Sequence, residues 1–355
     1  MSAKGKRIGA LCSLLLLLTG CTSQAPDTVP TAPIQAEADL FAMDTFMTMK
    51  AYGPGADSLL AEAKTRIQAL EHSLSVTEPD SDIGKLNRAG GQSVTVTADT
   101  TAILETAITL GNLTNGALDV SIYPIVSAWG FTTGQNQIPS PDTIADLLPR
   151  VDYTKIQLTD QTVTLPAEMQ IDLGSLAKGY TGDVVAKLLR KGGVTSALLN
   201  LGGNVHTIGS KTDGTPWKVA IADPFAPENN MLVLAVTDAV VITSGNYERY
   251  FIGEDGVRYC HILDSQTGYP ADNGIVSMTI VGDSTKDGCG LRCDGLSTAL
   301  YVSGPDRAKE IWQSCGDFDM VYVTEEGQIY ITEGLAGQYT NVSTMPVEVL
   351  YAEAE

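Results

Sequence analysis

Basic residues are scarce in this sequence: 22 Lys and Arg stand against 42 Asp and Glu, a formal net charge of −20. That balance argues against a nucleic-acid partner, because phosphate backbones are held by clustered Lys and Arg. It argues equally against electrostatic adhesion to anionic lipid, and the acid excess serves solubility. Histidine is rarer still, with 3 in the chain, His72, His206 and His261. No paired Cys-x-x-Cys set is present, which removes the usual zinc and iron–sulfur readings. No apolar run reaches the ~20 residues of a membrane-spanning helix, and no internal repeat is visible. Hydrophobic residues make up 43 % of the chain, enough to bury a full core.

The informative features begin near the start. Lys4, Lys6 and Arg7 precede an apolar run from Ile8 to Leu18, the pattern and length of a signal-peptide core. The run closes on Leu18-Thr19-Gly20-Cys21, which resembles a bacterial lipobox whose Cys receives a diacylglycerol. Residues 1–20 therefore read as a lipoprotein signal peptide. Removing them takes three basic residues and no acidic one, leaving 19 Lys and Arg against 42 Asp and Glu. Residues 21–38 read as the lipidated Cys21 and a flexible Thr, Ser, Gln, Ala and Pro rich tether. The expected location is the extracytoplasmic face of the bacterial cell membrane, with the lipid anchor the sole membrane contact. Lipid burial supplies ~0.8 kcal/mol per CH₂, so two or three chains hold firmly. Of the remaining cysteines, Cys289 and Cys293 are spaced so that they bridge or stay free thiols.

From about residue 39 to 351 the patterns are globular, about 310 residues that suit one large domain or two fused lobes. Residues 45–52 alternate as a strand. Leu59, Leu60, Ala63, Ile67, Leu70 and Leu74 recur at helical spacing. Helices are expected near 100–113, 291–302 and 305–314, and a strand-to-helix passage over 169–190. Strands are expected at 93–97, 156–158, 162–165, 196–201, 217–222, 232–236, 247–252, 257–263, 275–281, 320–324 and 328–332. Hairpins mixed with strand–helix units predict an α+β domain of mixed sheets and helices rather than a doubly wound sheet.

Three segments carry chemistry. Ile171 to Tyr180 (IDLGSLAKGY) puts Asp172, Gly174, Ser175 and Lys178 where a strand becomes a helix. A helix N-terminus with a nearby Lys suits phosphate, while a capped helix with Ser175 as N-cap fits equally. Cys293 to Ala299 (CDGLSTA) places Asp294 and Thr298 four apart, so a helix presents both oxygens on one face. Such a pair suits Mg²⁺ completed by water and phosphate, or else a cap with a Thr bonded back to the helix. Thr243 to Arg249 and Tyr259 to Asp264 form two strands that bring His261 forward as a general base or as a structural histidine. His72 and His206 read as structural. Trp129 and Phe131 fit flavin stacking or the core.

These segments, with Asn115 to Asp119 and Leu199 to Asn204, occur in an order that resembles the ApbE family, the FAD:protein FMN transferases. The likeness runs from about Phe41 to Tyr330. It implies that Met43, Ala117, Leu118, Asp119, Asp172, Lys178 and Leu263 contact FAD. It implies Ser175, Asp294 and Thr298 as Mg²⁺ ligands, with Ser297 a further candidate, and His261 as catalytic base. The implied reaction moves the FMN part of FAD to a threonine of an acceptor flavoprotein and releases AMP. The implied acceptors are subunits of Rnf- or Nqr-type or other exported redox systems. An FAD pyrophosphatase and a non-catalytic flavin-binding lipoprotein are the competing functions. The chain departs from the family pattern at Asp44, Thr77, Asn246 and Ser265, where Gly, an aromatic residue, Asp and Pro are usual.

Overall fold

The structure is a computed structural model and describes residues 35–352. The expected signal peptide and Cys21 lie outside the described residues. Residues 35–38, expected as the end of the tether, instead belong to strand β1, Gln35–Ala42. Its inward residues are mostly alanine, so its alternation carries little hydrophobic signal.

Nine strands form the main sheet among the described residues. They are β1, β2 (Thr45–Tyr52), β3 (Ser196–Leu201), β4 (Asn204–Ile208), β5 (Ala239–Gly245), β6 (Ile275–Asp283), β7 (Asp319–Thr324), β8 (Ile329–Thr332) and β9 (Val347–Leu350). They lie side by side in chain order. Every neighbouring pair is antiparallel except β8 and β9. The sequence pattern missed β1, β4, β5 and β9. In β4, Asn204 and His206 look like surface residues, yet both are buried.

The central strands are apolar on both faces. Val240 and Ile242 of β5, Met278 and Ile280 of β6, and Met320 of β7 pack against helices α2 (Ala98–Leu113), α4 (Cys289–Ser303) and α5 (Pro305–Cys315). Val241, Val281, Val321 and Val323 point the other way and meet Trp217, Val219 and Leu234 of a smaller sheet. Burial on both faces places this sheet between two layers, each large side chain contributing ~1.5–3 kcal/mol. Toward the β1 edge, helices α1 (Ala56–Leu74) and α3 (Ala177–Lys191) cover Met47, Met49 and Leu199. All described residues belong to one compact unit, which settles the choice between one domain and two lobes. The α+β class expected from the sequence is the class observed.

Candidate active site

Helices α3 and α4 lie against each other through glycine. A Cβ on Gly179 would meet the Gly290 carbonyl and the Asp294 Cβ, and one on Gly182 or Gly290 would collide with the His206 ring. Only hydrogen at these positions lets the helices close. Each helix then caps the other. Neither has a side-chain cap of its own. Asp294 of α4 accepts from the Gly179 amide in the first turn of α3 at 2.7 Å. Asp183 of α3 accepts from the Gly290 and Leu291 amides in the first turn of α4 at 2.8 and 2.9 Å. Carboxylates at helix N-termini satisfy free amides and complement the dipole. The pairings 179 with 294 and 183 with 290 make the two helices antiparallel. Burial raises both carboxyls, that of Asp183 to about 6.

This junction fixes the floor of a cavity of about 780 Å³. Small-molecule sites span ~300–1,000 Å³, and this one lies in the upper part of that range. Apart from the further metal candidate Ser297, the residues that the resemblance assigns to flavin, metal and base all line it: Met43, Ala117, Leu118, Asp119, Asp172, Ser175, Lys178, His261, Leu263, Asp294 and Thr298. They come from five separate stretches of chain.

Around the floor, the side chains divide into those with free atoms and those already committed. Helix α3 begins at Ala177 with Leu176 as its cap residue, so Ser175 is not the N-cap that the pattern allowed. Asp172 accepts from the Gly174 amide at 2.8 Å, and its backbone is tied to Val120. Burial pushes its carboxyl up, against the charges of Arg249 and Lys178. Lys178 opposes burial at Asp294 and Glu248 as well, so one ammonium acts on three carboxylates of the cavity. Asp119 is spent on its own loop. Its carboxylate accepts from the Ser121 amide and hydroxyl and from the Tyr153 amide at 2.8, 2.6 and 3.1 Å. The Ser297 hydroxyl donates to the Asp294 carbonyl at 2.8 Å, whereas Thr298 faces the cavity and approaches the Ser244 hydroxyl at 3.4 Å. Of the two, Thr298 has the exposed oxygen.

His261 sits just past the short strand Arg258–Cys260, which pairs with Tyr250–Ile252 as a hairpin shorter than the sequence suggested. Its amide donates to the Arg249 carbonyl at 3.0 Å, and Nδ1 lies 3.1 Å from the same oxygen. A carbonyl accepts only, so Nδ1 carries the proton and Nε2 keeps its lone pair. Burial, helped by Arg249, lowers the imidazole to about 4, so it is neutral at neutral pH. The ring meets Phe131 edge-on at 6.4 Å. Trp129 is fully buried and donates to the Gly268 carbonyl at 2.9 Å, which makes it core.

For several further cavity residues the sequence pattern assigns no individual role, although Glu248, Arg249 and Asn204 lie in the marked segments. Glu71 of α1 accepts from the Met43 amide at 2.7 Å and holds the β1–β2 turn over the cavity. Glu248 and Arg249 line the wall near His261, and Asn204, just after the Gly202-Gly203 turn, lines it too with a buried amide nitrogen that has no hydrogen-bond partner. Cys289 and Cys293 are free thiols with sulfurs 3.7 Å apart.

The donor set fits a hard cation. No group of three His, Cys, Asp or Glu suited to a metal occurs among the described residues. What the cavity floor offers is the Asp294 carboxylate, with Oδ2 on the Gly179 amide and Oδ1 left over, and the hydroxyls of Ser175 and Thr298. Mg²⁺ is held in this way, by few protein oxygens with water and substrate phosphate completing the shell.

The model of the ApbE family matches residues 43–322. A protein of Vibrio cholerae described as FAD:protein FMN transferase is 31 % identical over 314 residues, covering 84 % of this chain and 87 % of the relative. One of Treponema pallidum with the same description is 32 % identical, covering 78 % and 80 %. Among solved structures, the ApbE protein of Thermotoga maritima superposes with a TM-score of 0.78 at 28 % identity, covering 86 % of this chain and 99 % of that one. The flavin transferase ApbE of Vibrio cholerae gives 0.77 at 26 %, covering 86 % and 100 %.

Proposed function

The chain belongs to the ApbE family, and from that premise we propose that it transfers the FMN part of FAD to a threonine hydroxyl of another protein, releasing AMP. The observation that carries this reading is the meeting, in one cavity, of a lysine, a hard-cation donor set and a neutral histidine with a free ring nitrogen.

Asp294, Thr298 and Ser175 would hold Mg²⁺, which would supply positive charge to the phosphates of FAD. Lys178 adds its own charge beside the start of α3, and the first amides of that helix favour an anion. The acceptor threonine gives its proton to Nε2 of His261 while its oxygen bonds to the FMN-side phosphorus. The bond from that phosphorus to the bridging oxygen breaks, and AMP leaves with the electron pair. The Arg249 carbonyl stabilises the imidazolium through Nδ1–H. Phosphoryl transfer depends mainly on positioning and charge, so the rigid α3–α4 floor matters most. Acceptors are flavoprotein subunits of Rnf- or Nqr-type or other exported redox complexes. The enzyme works at the outer face of the membrane, tethered through Cys21.

The test incubates the protein with FAD and Mg²⁺, with and without a flavoprotein subunit of an Rnf-type complex. Transfer gives an acceptor heavier by FMN less one water, with one AMP per flavin attached. FMN and AMP in solution with an unchanged acceptor would instead identify a pyrophosphatase. Bound, unaltered FAD would identify a carrier.

A further inference from the structure

Strand β1 changes character along its length. Its outward positions run Gln35, Glu37, Asp39, Phe41, all exposed. The first three are polar, and Glu37 pairs with Lys50 at 2.8 Å. Phe41, nearest the cavity, is 70 % exposed, and its cross-strand partner Phe46 is 61 % exposed. Directly opposed residues have Cβ atoms ~4.5–5.5 Å apart, so the two rings form one surface. Single exposed apolar residues are ordinary; a paired aromatic patch marks a contact site.

The patch flanks Met43 and Asp44, which line the cavity. Across the mouth, the hairpin Tyr250–Cys260 exposes Tyr250, Ile252 and Val257. Arg249, at the base of that hairpin, donates to the Asp44 carbonyl at 3.3 Å and joins the two rims. Both apolar surfaces thus adjoin residues that line the cavity of His261, Met43 to Thr45 on one side and Arg249 on the other.

The position of the patch decides between occupants. The chain from Cys21 enters β1 at Gln35. Six residues of strand at ~3.3 Å each put Phe41 roughly 20 Å along β1 from Gln35, at the end next to the cavity residues Met43 and Asp44. The acid excess disfavours anionic headgroups. A second copy seated here would close the mouth against the substrate. A protein whose hydroxyl must reach His261 has to cross this rim.

We propose that Phe41 and Phe46, with the Tyr250–Ile252 rim opposite, form the docking surface for the acceptor polypeptide. They receive apolar side chains that flank its threonine. The inference rests on the transferase reading above and adds where the protein substrate binds.

The test compares the unmodified full chain with Phe41→Ser/Phe46→Ser and, separately, Ile252→Ser, using an Rnf-type flavoprotein subunit as acceptor. Thermal midpoint and FAD affinity should be unchanged. The KM for the acceptor should rise about tenfold or more in the double variant, the effect expected for buried aromatic anchors, with kcat retained. A smaller rise is expected for Ile252→Ser. If the unmodified enzyme labels the acceptor and both variants match it, the inference is overturned. Loss of binding to phosphatidylcholine vesicles without a change in KM would also overturn it, by making the patch a membrane contact. An unmodified enzyme that labels no acceptor defeats the transferase reading and this inference with it.

Discussion

The floor and the rim of the cavity are built by opposite means. The floor is two helices pressed together through glycine, each capping the other with a buried carboxylate. The rim is two hairpins that meet through Arg249 and Asp44, whose charged atoms are 4.0 Å apart and exposed. Exposed ion pairs contribute ~0–1 kcal/mol, while an N-terminal cap contributes ~0.5–2 kcal/mol before packing is counted. Groups that must hold fixed charge near phosphate therefore stand on the stiffer part. The proton acceptor and the apolar patch stand on the part that has to meet a second protein.

The largest effect should come from the floor. Asp294→Asn keeps an acceptor for the Gly179 amide and removes the charge offered to a cation. Flavinylation should fall below detection, as it should for the unmodified enzyme in excess chelator, and added Mg²⁺ should restore only the chelated enzyme. Thermal midpoint should change little in the variant. Substantial turnover in either case would separate the floor from metal binding and reduce Asp294 to a cap.

On the rim, His261→Ala should slow transfer by roughly 10²–10⁴-fold, the usual span for a general base. FAD affinity, thermal midpoint and Mg²⁺ dependence should stay close to those of the parent. The imidazole hydrogen-bonds to the Arg249 carbonyl and packs on Phe131, neither of them part of the floor, so its removal leaves the floor intact. Equal losses of stability and activity would mean that His261 braces the hairpin, and the comparison between a chemical floor and a proton-accepting rim would fail.

The legible parts of this molecule are those where one residue type forces one geometry. Helix α1 was readable because Leu60, Ala63, Ile67, Leu70 and Leu74 repeat at helical spacing and are all buried. The floor was half readable. Asp294 and Thr298 share a helix face, but the partner amide of Asp294 is 115 residues away, and no spacing rule reaches that far. The plainer reading of Asp294 as a cap is partly what the structure contains, though the helix it caps is α3. The family resemblance assigns scattered motifs to one site, and the cavity brings those motifs together. Strand β4 stayed hidden because His206 is a polar residue placed in a fully buried position.

His206 also yields the next prediction, in the stiff region. Its ring nitrogens have no hydrogen-bond partner, and burial lowers its pKa to about 3. An unfolded histidine titrates near ~6.5. Between those values the unfolded chain binds a proton that the folded chain refuses, so this ring makes stability fall as pH falls. The loss reaches roughly 2 kcal/mol at pH 5. Asp183, raised to about 6, works in the opposite sense over part of the range, so the difference between variant and parent is the quantity to measure. His206→Leu should lie within ~1 kcal/mol of the parent at pH 7, since it removes unpartnered nitrogens at similar volume. It should gain on the parent by roughly 2 kcal/mol on going to pH 5. Denaturant midpoints at the two pH values check this. An unchanged difference would mean that the imidazole is solvated and that the floor is looser than its packing suggests.

The smallest effect belongs to the tip of the β1–β2 hairpin. Met43 and Asp44 both have positive φ, 51° and 57°, which makes the two-residue turn that hairpins favour. Glycine adopts this conformation freely and Asp tolerates it, which accounts physically for Asp44 at a position where the family usually has Gly. Asp44→Gly relieves local strain in the folded state. It also loosens the unfolded chain, at a cost of about 0.4–1 kcal/mol. The two terms oppose each other at similar size, and the exposed approach to Arg249 adds little. Net stability should therefore move by no more than about 0.5 kcal/mol. Flavinylation should stay near the parental rate, because the backbone of the turn, held by Glu71, shapes the cavity mouth. Asp44→Val, by contrast, puts a β-branched residue at φ near 57° and should destabilise the hairpin clearly. Thermal midpoints and acceptor labelling for both variants decide the matter. A tenfold loss of labelling in Asp44→Gly would show that the Asp44 carboxylate positions Arg249, and with it the carbonyl that holds His261. The rim would then owe its geometry to charge rather than to backbone.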